Sequence, residues 1–423
     1  MPAEYDIGLE KALSQVLDRV RRLAPVDLPI DRAGGLVAAE DCIANVDCPS
    51  ASTSLKDGYA VVSADLENAC RDRAVRLTVC GLSVAGGGAP ATVKSGTAVK
   101  IMTGAVIPPG AGAVIPNEFT EEEGDSVLCY RDSGPGRNII EQGFDVAKGE
   151  RIVSCGELIA PAMTGLLAAG GLSAVSVHPK PRVGIIATGD EVVAPGKSLK
   201  PGQLYASNLI TLLSWLRHFQ MEAEVAVVGD RIEDLSRTAE GMFERVDVLL
   251  TSGGAWKSDR DLTVKVFRDI GGEIIFRRVR IGPGKAVALI LVNNKTVFCL
   301  PGGPPSNEMA FLQIALPGLF HLSGRRPDPF EHKTATLTRT VSGQKDWTQF
   351  LYATIEEDSG QLFVSPIEKG SRLRSQANAE ALIKIPEGVE ELQENEPINV
   401  QVLFGRSGLG DGPNRNTSPG QRL

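Results

Sequence analysis

The sequence lacks the residue patterns of several large enzyme classes. It has only four histidines, which are too dispersed for a Ser/His/Asp triad, and it has neither a nucleophile elbow nor a P-loop lysine. Its seven cysteines include no C-x-x-C pair and no Cys/His cluster of zinc spacing, so we predict reduced, mostly buried thiols. Triad hydrolysis, P-loop chemistry and a zinc site are therefore not indicated.

Signals for a membrane or for secretion are also absent. No stretch reaches about 18 uninterrupted apolar residues, and the sequence starts without the basic and apolar segments of a signal peptide. Basic residues are in deficit, with 44 Lys and Arg against 52 Asp and Glu, a net charge of −8. We therefore expect a cytoplasmic protein with no nucleic-acid or membrane partner and a small-molecule ligand.

The chain is long enough for about three domains at roughly 150 residues each, and its 42% hydrophobic content is that of a globular protein. Apolar spacings of three and four predict a helix over 8–24, and short apolar runs between glycine-rich turns predict a mainly β domain from about 46 to 147. From residue 181 strands and helices alternate, which is typical of a doubly wound parallel sheet. Alternating strand patterns return over 333–404, and the Gly-, Ser- and Pro-rich tail 405–423 is predicted to be disordered.

Three loops are predicted at the carboxyl ends of the parallel strands: Thr188 to Glu191, Thr251 to Asp261 and Pro301 to Ser306. Ser306 is predicted to cap a helix that runs to about Leu322. Ligands of open α/β sheets bind beyond these ends, so we expect the loops to form one pocket. The Ser252-Gly253-Gly254 segment has the composition of an anion-binding turn.

The carboxylates Glu191, Asp230 and Asp261 are candidate ligands for Mg²⁺, which prefers oxygen. Asp230, with Glu233 in a capping box, and Asp261 are equally well interpreted as helix caps. Glu191 has no such alternative.

Five basic residues surround the glycine-rich loop in an otherwise acidic chain, which suits a phosphate or oxyanion ligand. For any single one of them a solvated surface position is the more frequent outcome. They are Lys257, Arg260, Arg278, Arg280 and Lys285.

Eight segments occur in the order known from one family. They are Ser54 to Ala60, Ile101 to Ala105, Gly110 to Val114, Thr188 to Glu191, Gly202 to Asn208, Thr251 to Gly254, Pro283 to Lys285 and Leu300 to Pro304. Together they resemble the molybdopterin molybdenumtransferases, the family of bacterial MoeA and the E domain of gephyrin, over residues 8 to about 400. The resemblance implies a homodimer and Mg²⁺-dependent insertion of molybdate into adenylylated molybdopterin with release of AMP. Molybdopterin-adenylyltransferase and cofactor-receiving enzymes are the partners it suggests.

The resemblance also implies an α/β multidomain fold with an elongated stalk. We expect a stalk of 1–45 with 148–179, a β-rich domain of 46–147, an α/β molybdopterin-binding domain of 180–324 and a C-terminal β domain of 325–404. The family's catalytic acids and threonine match Asp57, Thr103, Glu191, Asp230 and Asp261, of which Glu191 and Asp261 would hold the metal. The implied substrate-binding residues are Ser252, Gly253, Gly254, Lys257, Arg278, Lys285, Pro301, Gly302 and Ser306.

Several basic family positions are replaced. Gly282 stands where the family has the first lysine of Lys-Pro-Gly-Lys, Arg278 replaces a lysine and Gln349 replaces an arginine. Losing two or three charge-assisted hydrogen bonds, at about 1.5 to 3 kcal/mol each, would weaken ligand binding by powers of ten. An inactive paralogue that binds a pterin or nucleotide as carrier, sensor or scaffold is the alternative hypothesis. A transferase for tungstate or another oxyanion is a third.

Overall fold

The computed structural model describes residues 4–87, 91–253, 262–368 and 371–404. The chain divides into two compact units, one of residues 1–24 with 179–423 and one of residues 25–178. Each unit has hydrophobic clusters of its own.

A seven-stranded sheet is the centre of the first unit. Its strands are β1 (Glu4–Ile7), β2 (Val183–Thr188), β3 (Ala223–Val228), β4 (Val248–Ser252), β5 (Glu273–Val279), β6 (Ala288–Val292) and β7 (Lys295–Leu300). Their order across the sheet is β1-β5-β6-β7-β4-β2-β3. The neighbours β3, β2, β4 and β7 run parallel, and β6 is antiparallel to both β5 and β7. The carboxyl ends of these four parallel strands therefore share one edge.

Helices cover both faces of this sheet. The helices of the described residues are α1 (Leu9–Arg19), α2 (Pro161–Ala169), α3 (Ser207–His218), α4 (Ile232–Phe243), α5 (Leu262–Asp269), α6 (Pro304–Ala310), α7 (Leu316–Leu322) and α8 (Arg372–Asn378). Side chains alternate between the two faces of a strand. Accordingly, Ile185 packs in a cluster with Leu212 of α3. The next residue, Ile186, packs with Leu235 of α4 on the other face. The predicted doubly wound sheet is confirmed.

A second sheet of the same unit closes on itself. Its strands are Ile281–Gly282, Glu331–Leu337, Thr348–Asp358, Gln361–Pro366, Ala381–Ile385 and Pro397–Val402. The long strand Thr348–Asp358 pairs with Gln361–Pro366 on one side and with Ala381–Ile385 on the other, which joins five strands into a ring. Short paired strands lie at Val192–Val193 with Leu204–Tyr205 and at Val341–Ser342 with Glu391–Leu392.

The unit of residues 25–178 consists mainly of strands. Its six-stranded sheet contains Gly58–Val61, Val75–Ser83, Thr97–Ile101, Ala113–Pro116, Thr120–Glu123 and Ser126–Cys129. A three-stranded sheet contains Val26–Pro29, Val37–Ala38 and Ala174–His178. Two-stranded ladders join Thr53–Ser54 to Ile139–Ile140 and Cys42–Ile43 to Arg151–Val153.

The structure modifies some expectations and leaves others open. An α/β multidomain fold with β-rich parts is confirmed, whereas contacts group residues 1–24 with the sheet and not with 25–178. The division into four domains stays a prediction. None of the seven cysteines forms a disulfide, but only Cys42, Cys129 and Cys299 are buried, so the expectation of mostly buried thiols is wrong. No helix among the described residues is long and apolar enough to span a membrane.

Candidate functional site

Loops from three neighbouring strands meet at the carboxyl edge of the sheet. Gly253, directly after β4, has a φ of 105°, and a Cβ there would lie 2.5 Å from the Thr188 carbonyl oxygen at the end of β2. A Cβ on Gly302, after β7, would lie 3.5 Å from the Gly253 Cα atom. Strand β2 has β3 on one side and β4 on the other, so this edge is a topological switch point, where ligands of such sheets bind.

Two asparagines hold the serine of this site. Asn208 Nδ2 in α3 donates to Ser252 Oγ (3.2 Å) and to the Gly302 carbonyl (2.8 Å). Asn307 Nδ2 in α6 donates to the same Ser252 Oγ (3.1 Å) and to the Pro301 carbonyl (2.8 Å). A hydroxyl that accepts two hydrogen bonds retains its own proton for donation. The Ser252 hydroxyl proton has no acceptor among the described residues, so it is available to an oxygen of a ligand.

The sequence did not predict these two asparagines as site residues. Asn208 ends one of the family segments, so its position was visible in the sequence. Asn307 follows Ser306 on a helix and carried no comparable signal. Asn307 is only 1% exposed, and its buried position in helix α6 brings its side-chain amide to Ser252.

Three carboxylates lie together beside these loops. Asp190 Oδ1 accepts a hydrogen bond from the Asp230 backbone N–H (3.0 Å), and a Cβ on Gly189 would lie 2.9 Å from Glu191 Oε2. Desolvation of its carboxyl group and the negative charges of Asp190 and Glu191 raise the pKa of Asp230. This corner of the sheet thus has excess negative charge.

The capping interpretation of Asp230 is wrong. Helix α4 begins at Ile232, its N-cap residue is Arg231, and no side chain caps it. Asp230 lies one residue too early for the predicted capping box with Glu233. Its role as a site carboxylate stays a prediction.

The donors at this corner fit Mg²⁺ in kind, because they are carboxylate oxygens whose repulsion a cation would relieve. Among the described residues no group of three or more His, Cys, Asp or Glu side chains could hold a metal ion by itself. Mg²⁺ is usually bound by one or two carboxylates together with substrate phosphates and water. Glu191 stays a predicted ligand of this kind. The second predicted ligand, Asp261, lies outside the described residues, as do Gly254, Lys257 and Arg260.

The predicted basic residues near this edge have protein partners. Arg278, at a φ of 65°, donates from Nη1 to the Tyr5 hydroxyl (2.7 Å), and its guanidinium carbon lies 5.1 Å from the centre of the Tyr5 ring. Arg280 binds Glu387 (2.6 Å) and the backbone carbonyl of Asp6 (2.7 Å). Arg280 is therefore engaged in structural contacts and is not free to replace a lost lysine.

Lys285 and Ser306 belong to adjacent segments. Lys285 Nζ lies 5.8 Å from the centre of the Trp347 ring, and the lysine side chain is exposed. A Cβ on the preceding Gly284 would lie 3.3 Å from the Ser306 carbonyl oxygen, so this loop packs on α6. The N-cap residue of α6 is Gly303, and Ser306 lies inside the helix. The prediction that Ser306 caps this helix is wrong.

Asp57 and Thr103 form a separate pair in the unit of residues 25–178. Asp57 Oδ1 accepts from the Thr103 backbone N–H (2.6 Å) and from Thr103 Oγ1 (2.8 Å). These two hydrogen bonds lower the pKa of Asp57, so the group is an ionised acceptor at neutral pH.

Matches to known families cover most of the chain. Residues 7–171 match the MoeA N-terminal region (domain I and II), residues 184–321 match a probable molybdopterin binding domain and residues 334–403 match the MoeA C-terminal region (domain IV).

Curated relatives and solved structures agree with these matches. The chain is 33% identical to molybdopterin molybdenumtransferase 2 of Mycobacterium tuberculosis, over 92% of this chain and 97% of the relative. It is 31% identical to the molybdopterin molybdenumtransferase of Bacillus subtilis, over 88% of each chain. A molybdopterin biosynthesis MoeA protein from Pyrococcus horikoshii superposes with a TM-score of 0.75 at 28% identity, covering 94% of this chain and 100% of that one.

Proposed function

The chain belongs to the MoeA family of molybdopterin molybdenumtransferases, and we propose that it inserts molybdenum from molybdate into adenylylated molybdopterin. In this reaction water cleaves the phosphoanhydride bond of the substrate and AMP leaves, while the two dithiolene sulfurs replace oxygen ligands of molybdate, which leave as water. The observation that supports the proposal best is the meeting of the Thr188, Gly253 and Gly302 loops around Ser252, whose hydroxyl proton has no acceptor among the described residues.

The phosphate groups of the substrate are proposed to lie on the Ser252-Gly253 and Pro301-Gly302 turns. Ser252 would donate its hydroxyl proton to a phosphate oxygen, and Gly253 lets the backbone approach closely because it carries no Cβ. Arg278 and Lys285, at the end of β5 and ahead of β6, would add positive charge at the same edge. Bonds of these kinds to a charged ligand contribute about 1.5 to 3 kcal/mol each.

Glu191 and Asp261 are the proposed magnesium ligands, with Asp230 beside them. When bound, Mg²⁺ would neutralise the charge that develops on the phosphoanhydride oxygens. Glu191 would hold the cation through its carboxylate, and Asp230 would contribute to the negative potential that attracts the cation.

Asp57 and Thr103 are proposed as further catalytic residues, Asp57 as an ionised acceptor that Thr103 holds in place. We further propose that the protein is a cytoplasmic homodimer. Its substrate would come from a molybdopterin-adenylyltransferase, and its product would pass to cofactor-receiving enzymes.

The test is AMP release by the purified protein from adenylylated molybdopterin, with molybdate and Mg²⁺ each added or omitted. We expect AMP only when both are present, and a decrease of about tenfold or more in Ser252→Ala, which loses a hydrogen bond to a charged group. Ser214→Ala is the matched control, because this α3 hydroxyl donates only to the Ile210 carbonyl. No AMP under any condition would overturn the proposal.

A binding protein without turnover is the second candidate. The contacts of Arg278 with Tyr5 favour it, because an arginine that is already engaged is less available to a phosphate. Titration calorimetry with adenylylated molybdopterin, followed by recovery of the ligand, separates the two. A pure binder returns the phosphoanhydride intact, whereas a transferase supplied with molybdate and Mg²⁺ does not.

A further inference from the structure

A buried acidic side chain lies in helix α6, about one turn after the Pro301–Gly303 loop of the proposed substrate site. Glu308 in α6 is 6% exposed. Its Oε1 accepts a hydrogen bond from Trp215 Nε1 (2.8 Å), and its Oε2 accepts from the Tyr352 hydroxyl (2.8 Å) and from Gln376 Nε2 (2.9 Å). The three donors come from α3, from the strand Thr348–Asp358 and from α8. Three separate elements thus converge on one carboxyl group.

All three partners act as donors. An indole N–H and an amide NH₂ cannot accept, and burial together with the charge of Glu308 raises the pKa of Tyr352, so the phenol keeps its proton. Glu308 therefore supplies acceptors only. A glutamine of the same shape has one acceptor oxygen and one NH₂ group, so it cannot satisfy this set of donors.

Gln376 connects this network to the start of the helix. Its Nε2 donates both to Glu308 and to the carbonyl of Pro304 (3.1 Å), the first residue of α6. Beside Glu308, Asn307 donates to Ser252 Oγ. The first turn of α6 therefore contacts the Glu308 network on one side and, through Asn307, Ser252 of the proposed substrate site on the other.

We propose that Glu308 is a positioning residue that, through Gln376 and the first turn of α6, fixes Ser252 and the Pro301–Gly303 turn for the substrate. The substrate part of this inference rests on the proposed function. It follows that Gln376, which comes from helix α8, influences substrate affinity through α6, whereas Tyr352 stabilises the fold without this effect. Tyr352 donates only to Glu308, whereas Gln376 donates both to Glu308 and to the α6 backbone.

Three variants separate positioning from a general structural role. Glu308→Gln leaves a buried donor unsatisfied, and Gln376→Leu removes both bonds to α6 together with the interaction of Gln376 with the Tyr352 hydroxyl. Tyr352→Phe is the matched control, because it removes one donor to Glu308 and keeps the Gln376 bridge. We expect the KM for adenylylated molybdopterin to rise about tenfold in the first two variants, with kcat within about twofold. The control should have a lower Tm and an unchanged KM.

Hydrogen exchange of the ligand-free protein tests the inference without any substrate. The amides of Gly253 and Asn307, which donate to the Leu300 and Gly303 carbonyls, should exchange faster in Glu308→Gln and Gln376→Leu and not in Tyr352→Phe. Unchanged exchange in the first two variants, or equally faster exchange in all three, would overturn the inference. If the unsubstituted protein showed no turnover, that outcome would contradict the proposed function only. The exchange rates of the three variants would still decide whether Glu308 positions the first turn of α6.

Discussion

At the scale of single residues, desolvation of the Asp230 carboxyl group and its repulsion from Asp190 and Glu191 affect the stability of the fold. The pKa of Asp230 is raised above its ordinary value of 3.8. A raised pKa in the folded state means that a stabilising contribution is present below the ordinary pKa and is lost as pH rises through the folded value. Ionised Asp230 is thus a source of instability at neutral pH.

We predict that Asp230→Asn raises the free energy of unfolding at pH 7, by less than about 1 kcal/mol because the side chain is largely exposed. The gain should disappear near pH 3 and shrink when Mg²⁺ is added. Urea unfolding of both proteins at the two pH values measures it. Glu240→Gln, an exposed acid on α4, is the control and should show no such gain. An equal change at both pH values would contradict the explanation.

Asp57 presents the opposite case, because its two bonds to Thr103 lower its pKa. We predict that Thr103→Val, which keeps the backbone bond and loses the hydroxyl bond, raises the pKa of Asp57 toward 3.8. The stabilisation from this carboxylate exists above its ordinary pKa and is lost as pH falls, so the variant should lose less stability on acidification. A carboxyl-detected NMR titration measures the change. Thr97→Val, whose hydroxyl bonds to Lys94, should leave the Asp57 titration unchanged.

At the scale of elements, the turn after β4 depends on the absence of a side chain at Gly253. We predict that Gly253→Ala costs about 1 to 3 kcal/mol of stability and abolishes ligand binding, because the new Cβ would collide with the Thr188 carbonyl at a positive φ. Thermal unfolding and calorimetric titration measure the two effects. Gly303→Ala is the matched control in the neighbouring loop. Its φ is −70°, and a Cβ there would meet nothing within 4 Å, so stability should change by less than about 0.5 kcal/mol.

The helix after β7 shows what local patterns reveal and what they miss. Its apolar spacing correctly indicated helix up to about Leu322, but the helix begins at Pro304, earlier than the predicted cap at Ser306. A π-helical segment, Phe311–Ala315, interrupts it ahead of Pro317. Proline has no N–H for the carbonyl four residues earlier, which explains why regular hydrogen bonding changes there. A period of 3.6 in the sequence does not reveal such a change.

The part of the candidate site that depends on strand direction could be predicted from the sequence. Parallel strands put Thr188, Ser252 and Pro301 at one edge, and that convergence follows from the alternation of strands and helices alone. The partner of Arg278 was not predictable. Tyr5 lies 273 positions away, and only the pairing of β1 with β5 brings the two together.

At the scale of the whole molecule, two units with separate cores should respond separately to core substitutions. We predict that Phe298→Ala, at a fully buried position in β7, destabilises the sheet unit by about 3 to 5 kcal/mol and leaves hydrogen-exchange protection of 25–178 unchanged. Leu77→Ala, 1% exposed in the other unit, should have the reverse pattern. Loss of protection throughout the chain from either change would show that the units unfold together.

The strand β1 has a consequence for the synthesis of the protein. Residues 4–7 leave the ribosome well before their partners in β5, which are residues 276–279. The earlier segment therefore remains without its neighbour until β5 has emerged, and a contact of this sequence separation forms slowly. Until then the edge of β5 that β1 covers is open to pairing with another chain. The edge of the sheet at β5 is thus completed by a segment that was translated long before it, so residues 4–7 must stay available for pairing while the residues between them are made.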